Sequence, residues 1–164
     1  MAITVEDGTG VTGANSYISV VNAQAYATER GLAVTVTEAS LIRACDYLES
    51  LRAQYQGVKT DEDQALQWPR YGAYLDGSSI DSDEIPDILP KAQAQLACDI
   101  LAGTDIMPSS DGREVLSEAV EGAVSVTYAP TGVGVAQPAL TAARALVDPL
   151  LSTVGGASLF TVRV

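Results

Sequence analysis

The side chains able to do chemistry in this chain are few, and their spacing excludes most reactions before any fold is considered. Histidine is absent, which removes Ser-His-Asp and Cys-His nucleophilic mechanisms. Two cysteines, Cys45 and Cys98, make no ordinary zinc site without histidine partners. Each falls on an apolar helical stripe, as a reduced core thiol does in a cytosolic protein. The glycines near 8–13 and 131–134 lack the strand–glycine–helix setting and the Lys-Ser/Thr pair of a phosphate loop. Asp81, Asp83, Glu84 and Asp87 offer hard oxygen donors of the kind that hold Ca2+ or Mg2+. They lack the glycine and the terminal glutamate of an EF-hand loop, so a solvated loop entering a helix is the expectation. No pair of carboxylates is singled out for glycoside chemistry. The chain is expected to have no catalytic residues, no cofactor and no metal, and not to be an enzyme.

One cluster remains. Trp68, Arg70, Tyr71 and Tyr74 are the only aromatic and basic residues that fall together. Aromatics beside arginine can stack unpaired bases. A tryptophan beside a proline can equally anchor a loop onto helices, and the flanking Asp61, Glu62, Asp63 and Asp76 favour that second role. The overall charge agrees. Nine Lys and Arg stand against 21 Asp and Glu, for a net charge of −12, and the basic residues form no run. A duplex-binding protein needs such residues to displace counterions from phosphates. Tight nucleic-acid binding is therefore disfavoured.

Length and composition set the frame that positions these groups. A chain of 164 residues, 47% hydrophobic and 18% charged, is one folded domain with an aliphatic core. It carries no membrane-length apolar run and no secretory signal. Residues 1–16, rich in Gly and Thr, read as an extended arm or loop, 17–103 as a helical core, and 104–164 as a strand and helix extension. Ser19 caps a helix from about Val20 to Arg30, stopped by Gly31, with Val21, Ala25 and Tyr26 on its inner stripe. Thr37 caps a stronger helix over about Glu38–Ala53, where Leu41, Ile42, Cys45, Leu48 and Leu51 recur at helical spacing. Arg43, Asp46, Glu49 and Arg52 fall off that stripe. Thr60 to Asp63 predicts a short helix reaching Leu66 or Gln67 and stopped by Trp68-Pro69.

Residues 71–84 read as a loop. A further helix starts near Pro86 or Pro90 and runs to about Ala102, with Ala92, Leu96, Ile100 and Leu101 inside and Gly103 after it. Residues 103–114 and 130–134 are loop-like. Ala123–Tyr128 alternates as a strand, Pro138–Val147 predicts a last helix, and Leu159–Val164 a last strand. The fold class is mainly α, a small bundle of three to four helices with an N-terminal arm and a C-terminal part bearing short strands or a hairpin. Strands so far apart make no large sheet, and suit either a small hairpin or strand addition to a neighbouring subunit.

Several segments together carry a family resemblance. They are Asn15-Ser16-Tyr17-Ile18-Ser19-Val20, Ala25-Tyr26 with Arg30-Gly31, and Ala39 to Leu48. The most specific runs from Gly57-Val58-Lys59-Thr60 to Ala65-Leu66-Gln67-Trp68-Pro69-Arg70. Ile85-Pro86, Gln95-Leu96-Ala97 and Val124 to Ala129 complete it. Over residues 14–130 the chain resembles head–tail connector subunits of tailed phages and prophages, some labelled DnaT-like single-stranded DNA-binding proteins. The resemblance implies a virion protein of the phage neck, assembled in the host cytoplasm. It implies a closed, usually dodecameric ring of identical subunits between the portal and a stopper, nozzle or other tail protein. Genomic duplex DNA would pass through without specific binding, and carboxylates lining the channel would let it slide. Tyr17, Leu41, Leu48, Trp68, Pro69, Arg70, Pro86 and Tyr128 are the expected structural and interaction residues. The alternative label implies a replication-associated single-strand binder.

Overall fold

The computed structural model describes residues 2–106, 115–120, 124–128 and 141–152. Helix α1 spans Val20–Glu29, with the Ser19 side chain accepting the Asn22 N–H. Helix α2 spans Glu38–Ser50, and Thr37 and Ser40 exchange both bonds of a capping box. Gly31 ends the α1 turn at φ 66°. Two minimal antiparallel ladders come next. Strands β1 (Val58–Lys59) and β2 (Arg70–Tyr71) pair in one, β3 (Tyr74–Leu75) and β4 (Ser78–Ser79) in the other. Helix α3 spans Ile88–Leu101, and strands β5 (Val115–Val120) and β6 (Val124–Tyr128) form an antiparallel pair. Helix α4 (Thr141–Val147) runs into a 3-10 turn at Asp148–Leu150.

Helix α3 is the axis of the body, and α1, α2 and α4 all pack on it. Its inner surface is mostly small: Ala92, Ala94, Ala97 and Cys98 are buried with Leu89 and Leu96. Small side chains let neighbouring helices approach closely, and the leucines fill the seams. Leu41, Ala44, Cys45 and Leu48 of α2 face it, while Ala143, Val147 and Leu150 close the far side. Among the described residues both cysteines are free and buried, as their helical spacing predicts.

Gln93, fully buried on α3, is the polar exception. Its Oε1 accepts the Tyr17 N–H at 2.7 Å, and its Nε2 donates to Ser16 Oγ and to the Leu41 carbonyl. Its donors and its acceptor are all used, so burial costs little. One amide thus ties the entry to α1, the start of α2 and the middle of α3.

Residues 2–16 form a loop folded onto this body rather than a free arm. Val5 and Ser16 form a parallel bridge, and Asn15 N–H donates to the Thr4 carbonyl at 2.9 Å. Buried Glu6 accepts the Gly8 and Gly10 N–H groups through Oε1. Gly8 lies against the Asp83 backbone, where a Cβ would run into the carbonyl oxygen.

Several expectations are corrected. On α1 the buried residues are Ala23, Tyr26 and Ala27, whereas Val21 is 77% exposed and Ala25 is exposed. The helix is turned so that Tyr26 reaches Gln95 on α3. Helix α2 ends at Ser50, and Leu101 of α3 is on the exposed side. No helix forms between Thr60 and Gln67, because the Gln64 side chain binds the local backbone groups in its place. The segment 71–84, expected to be a loop, holds the β3–β4 hairpin, turned by Asp76 and Gly77, both at positive φ. Helix α3 starts between the two candidate prolines. Pro86 lends its carbonyl to the Leu89 N–H at 2.8 Å, and Pro90 sits in the first turn, where a missing N–H is harmless. The strand predicted at Ala123–Tyr128 is β6, and its partner β5 carries no comparable sequence signal. The predicted loops at 107–114 and 130–134, the first residues of the helix predicted from Pro138, and the strand Leu159–Val164 lie outside the described residues.

Gly57, at φ 64°, enters β1 with the β2 backbone pressed against it, so that a Cβ would collide with the Tyr71 carbonyl. Gly57→Ala therefore combines a left-handed strain with a backbone clash, and should lower stability by more than about 1 kcal/mol in urea denaturation.

Candidate functional site

The Trp-Pro-Arg segment is held at both ends. The β1–β2 ladder pairs Val58 with Tyr71 and Lys59 with Arg70, closing the loop between them. Inside that loop Gln64 is a scaffold. Its Oε1 accepts the Asp61 N–H at 2.9 Å, and its Nε2 donates to the Leu66 and Pro69 carbonyls at 2.8 and 3.0 Å. Lys59 Nζ caps the Gln64 carbonyl at 3.0 Å. These bonds replace those of a helical backbone, which is why the residues turn instead of coiling.

Trp68 is fully buried, its ring edge-on to Tyr55 at 5.9 Å and 86°. Its backbone N–H donates to Tyr17 Oη at 3.2 Å, while its buried indole Nε1 has no hydrogen-bond partner among the described residues. The Trp68–Pro69 peptide is cis. Arg70 points inward from β2 and is only 6% exposed. Its Nε donates to the Gln56 carbonyl at 2.6 Å, its Nη2 to the Gly57 carbonyl at 2.7 Å, and its Nη1 to Gln67. The guanidinium also lies 5.7 Å from the centre of the Tyr55 ring. A cation spent on backbone carbonyls in this way braces a loop and offers nothing to a phosphate.

Glu49 completes the network. Tyr17 Oη donates to its Oε1 at 2.5 Å, and the Gln67 N–H donates to its Oε2 at 2.9 Å. Burial pushes the Glu49 carboxyl above the ordinary carboxylate range, against the lowering effect of those two hydrogen bonds. Burial, with the Glu49 charge beside it, likewise holds the Tyr17 phenol well above its usual value. Burial also raises the Cys45 thiol, with Glu49 and Asp46 adding to it, so that thiol is no nucleophile. Burial lowers Arg70.

The structure thus brings Tyr17, Trp68, Pro69 and Arg70 together. Leu41 and Leu48 are core residues of α2, and Pro86, also buried, leads into α3. Tyr128 lies at the end of β6, paired with Val115. Glu49, predicted to fall off the buried stripe, is half-buried instead. Gln64, Gln93 and Tyr55 carry no sequence signal, since a lone Gln or Tyr is ordinarily a surface or core filler. Asp81, Asp83, Glu84 and Asp87 are all exposed, and no group of three or more His, Cys, Asp or Glu among the described residues is arranged to hold a metal.

The basic side chains around this network are mostly engaged locally. Arg30 lies 3.5 Å over the Tyr26 ring, Lys91 pairs with Asp87, and Arg144 with Asp148 and Gln54. Tyr71 and Tyr74 alone of the aromatic cluster face outward, at 68% and 55% exposure.

A carboxyl whose folded pKa is raised binds its proton more tightly when folded. Its contribution is greatest at low pH and is lost as pH rises through the folded value. Glu49→Gln keeps an acceptor for Gln67 and a donor for Tyr17 while removing the charge. Its melting temperature relative to the unmodified protein should therefore climb as pH is raised from the ordinary glutamate value of about 4.3. A difference that stays flat across pH would contradict the burial of this carboxyl.

No curated protein and no solved structure matches the chain. A family match does cover it end to end, over residues 1–164, to the family described as "Putative DnaT-like ssDNA binding protein". On that match the chain belongs to this DnaT-like family.

Proposed function

We propose that the protein is a structural subunit of a tailed-phage neck, closing as a ring between portal and tail and lining the DNA channel. The observation that carries this over a nucleic-acid role is the inward construction of the Trp-Pro-Arg segment. Trp68 is sealed from solvent, and Arg70 is consumed by three carbonyls and a side-chain amide. What a single-strand binder would use as a stacking platform is here a brace. The net charge of −12 supports the same reading, since a carboxylate-rich channel wall repels phosphates and does not hold passing DNA.

The β5–β6 pair supports assembly. It lies in the connection between α3 and α4, two helices that pack on each other. A two-stranded hairpin is marginal alone in water, and adding to a strand of a neighbouring subunit or partner would stabilise it. In the proposed neck the partners are the portal, a tail-side protein and further copies of the chain.

The second reading, a single-strand DNA binder, is favoured by the wording of the family description and by the exposed Tyr71 and Tyr74. Against it stand Asp61, Glu62, Asp63 and Asp76, all exposed and flanking those tyrosines in sequence.

Light scattering across a salt series tests the proposal. A ring mass near twelve copies is expected, falling toward monomer at low ionic strength, where like-charged subunits are least screened. A monomer at every salt that also fails to bind isolated portal rings would overturn it.

A further inference from the structure

The β1–β2 ladder is inverted, with its polar residues turned into the body and its apolar residues turned out. Val58 and Tyr71 sit directly opposite each other at 63% and 68% exposure. On the other face Arg70 is buried and Lys59 half-buried. Tyr74, three residues beyond Tyr71, is 55% exposed. Among the described residues the exposed large hydrophobics are Val21, Val58, Tyr71, Tyr74 and Leu101, so most of them gather on this one short stretch. Apolar surface concentrated in this way marks a place of contact.

The rim of this face is acidic. Thr60 continues β1 beyond Lys59, its N–H reaching the Pro69 carbonyl at 3.4 Å, and alternation puts its side chain on the side of Val58. That side chain donates to the Ser82 carbonyl at 2.7 Å, which fastens Asp81, Asp83 and Glu84 to the edge of the apolar pair. Asp61, Glu62 and Asp63 follow Thr60 directly, and Asp76 turns the β3–β4 hairpin two residues after Tyr74. All of these carboxylates are exposed. The bases of the ladder are spent elsewhere, Lys59 on the Gln64 carbonyl and Arg70 on those of Gln56 and Gly57.

The rim selects the occupant. Nucleic acid, an anionic lipid surface and a second copy of a chain carrying −12 each bring negative charge against these carboxylates, whereas a cationic partner is drawn in. We propose that the Val58, Tyr71 and Tyr74 face is the docking site for a basic segment of a partner protein, in which a few aliphatic residues are flanked by Lys or Arg. The aliphatic residues cover Val58 and Tyr71, and the basic flanks reach the carboxylates of segments 61–63 and 81–84. An apolar centre with a charged rim is the ordinary anatomy of such a contact, and the tyrosine rings add a further attraction for cations. The inference goes beyond the ring proposal and does not depend on it.

The probe is a fluorescein-labelled peptide, Lys-Lys-Val-Leu-Val-Lys-Lys, titrated with the full-length protein at about 0.15 M salt and followed by anisotropy. Saturable binding is expected. It should weaken about tenfold when serines replace the aliphatic centre of the peptide, and about tenfold in a Val58→Ser, Tyr71→Ser variant of the protein. A second variant, Asp81→Asn with Asp83→Asn, leaves the ladder untouched and should make the affinity less sensitive to salt. Absence of binding, or binding indifferent to the serine peptide and to both variants, would overturn the inference. Displacement of the peptide by oligothymidine would also overturn it and make the face a strand-binding surface. Loss of self-association in the Val58→Ser, Tyr71→Ser variant would overturn it in favour of a contact between copies. The mass of the unmodified protein tests the ring by itself, so failure of the ring and failure of this docking site are distinguishable.

Discussion

Tyr17 is the point at which the described structure is tied together. Its backbone N–H is held by Gln93 at the centre of α3, and its hydroxyl donates to Glu49 on α2 and accepts the Trp68 N–H of the distant loop. Three segments far apart in sequence thus share one residue. Each bond alone is worth only about 1 kcal/mol net. Their joint effect is larger, because each partner is buried and would be left unsatisfied by loss of the others. The Trp-Pro-Arg loop, with Arg70 closing on Gln56 and Gly57, then becomes a continuation of the helical core. The α4 turn is drawn in through the same Gln54–Gln56 strip, which receives Leu150 and Ser152.

How much of this is legible in the sequence depends on how local each signal is. Helices α1, α2 and α3 are predictable within a few residues because Ser19, Thr37, Gly31 and Gly103 act on their own neighbourhood. The phase of α1 is not, since only its packing on α3 decides that Tyr26 faces in and Val21 out. The two-residue ladders are hidden for a similar reason. Their pairing depends on Arg70 turning inward, and no periodicity announces that. The helix expected after Thr60 fails to form because one side chain, Gln64, competes for the backbone groups. Trp68 and Arg70 stand out as residue types, but only their partners decide whether they serve a ligand or the core. Glu49 is hidden by its type, because a glutamate on an amphipathic helix ordinarily faces solvent.

These facts shape the functional reading more than any catalytic motif. The family match brings a description in terms of single-stranded DNA, while the residues best suited to stacking are divided between an interior brace and two outward tyrosines on an inverted ladder. A phage-neck subunit requires shape, charge and surfaces for neighbours, and needs no reacting group. In the proposed neck role acidity would leave DNA free to slide, and it opposes tight binding of a strand. Burial of the Glu49 carboxyl in the Tyr17–Glu49 brace opposes its ionisation, and the hydrogen bonds from Tyr17 and Gln67 offset part of that cost.

Trp68 is the single tryptophan of the chain, so its fluorescence isolates the residue on which the choice between brace and platform rests. The measurement is its emission in the full-length protein, with iodide as quencher and then with oligothymidine at low salt. The account predicts short-wavelength emission, poor quenching by iodide and no change on adding the oligonucleotide. Solvent-exposed emission that the oligonucleotide quenches, and that salt restores, would contradict it.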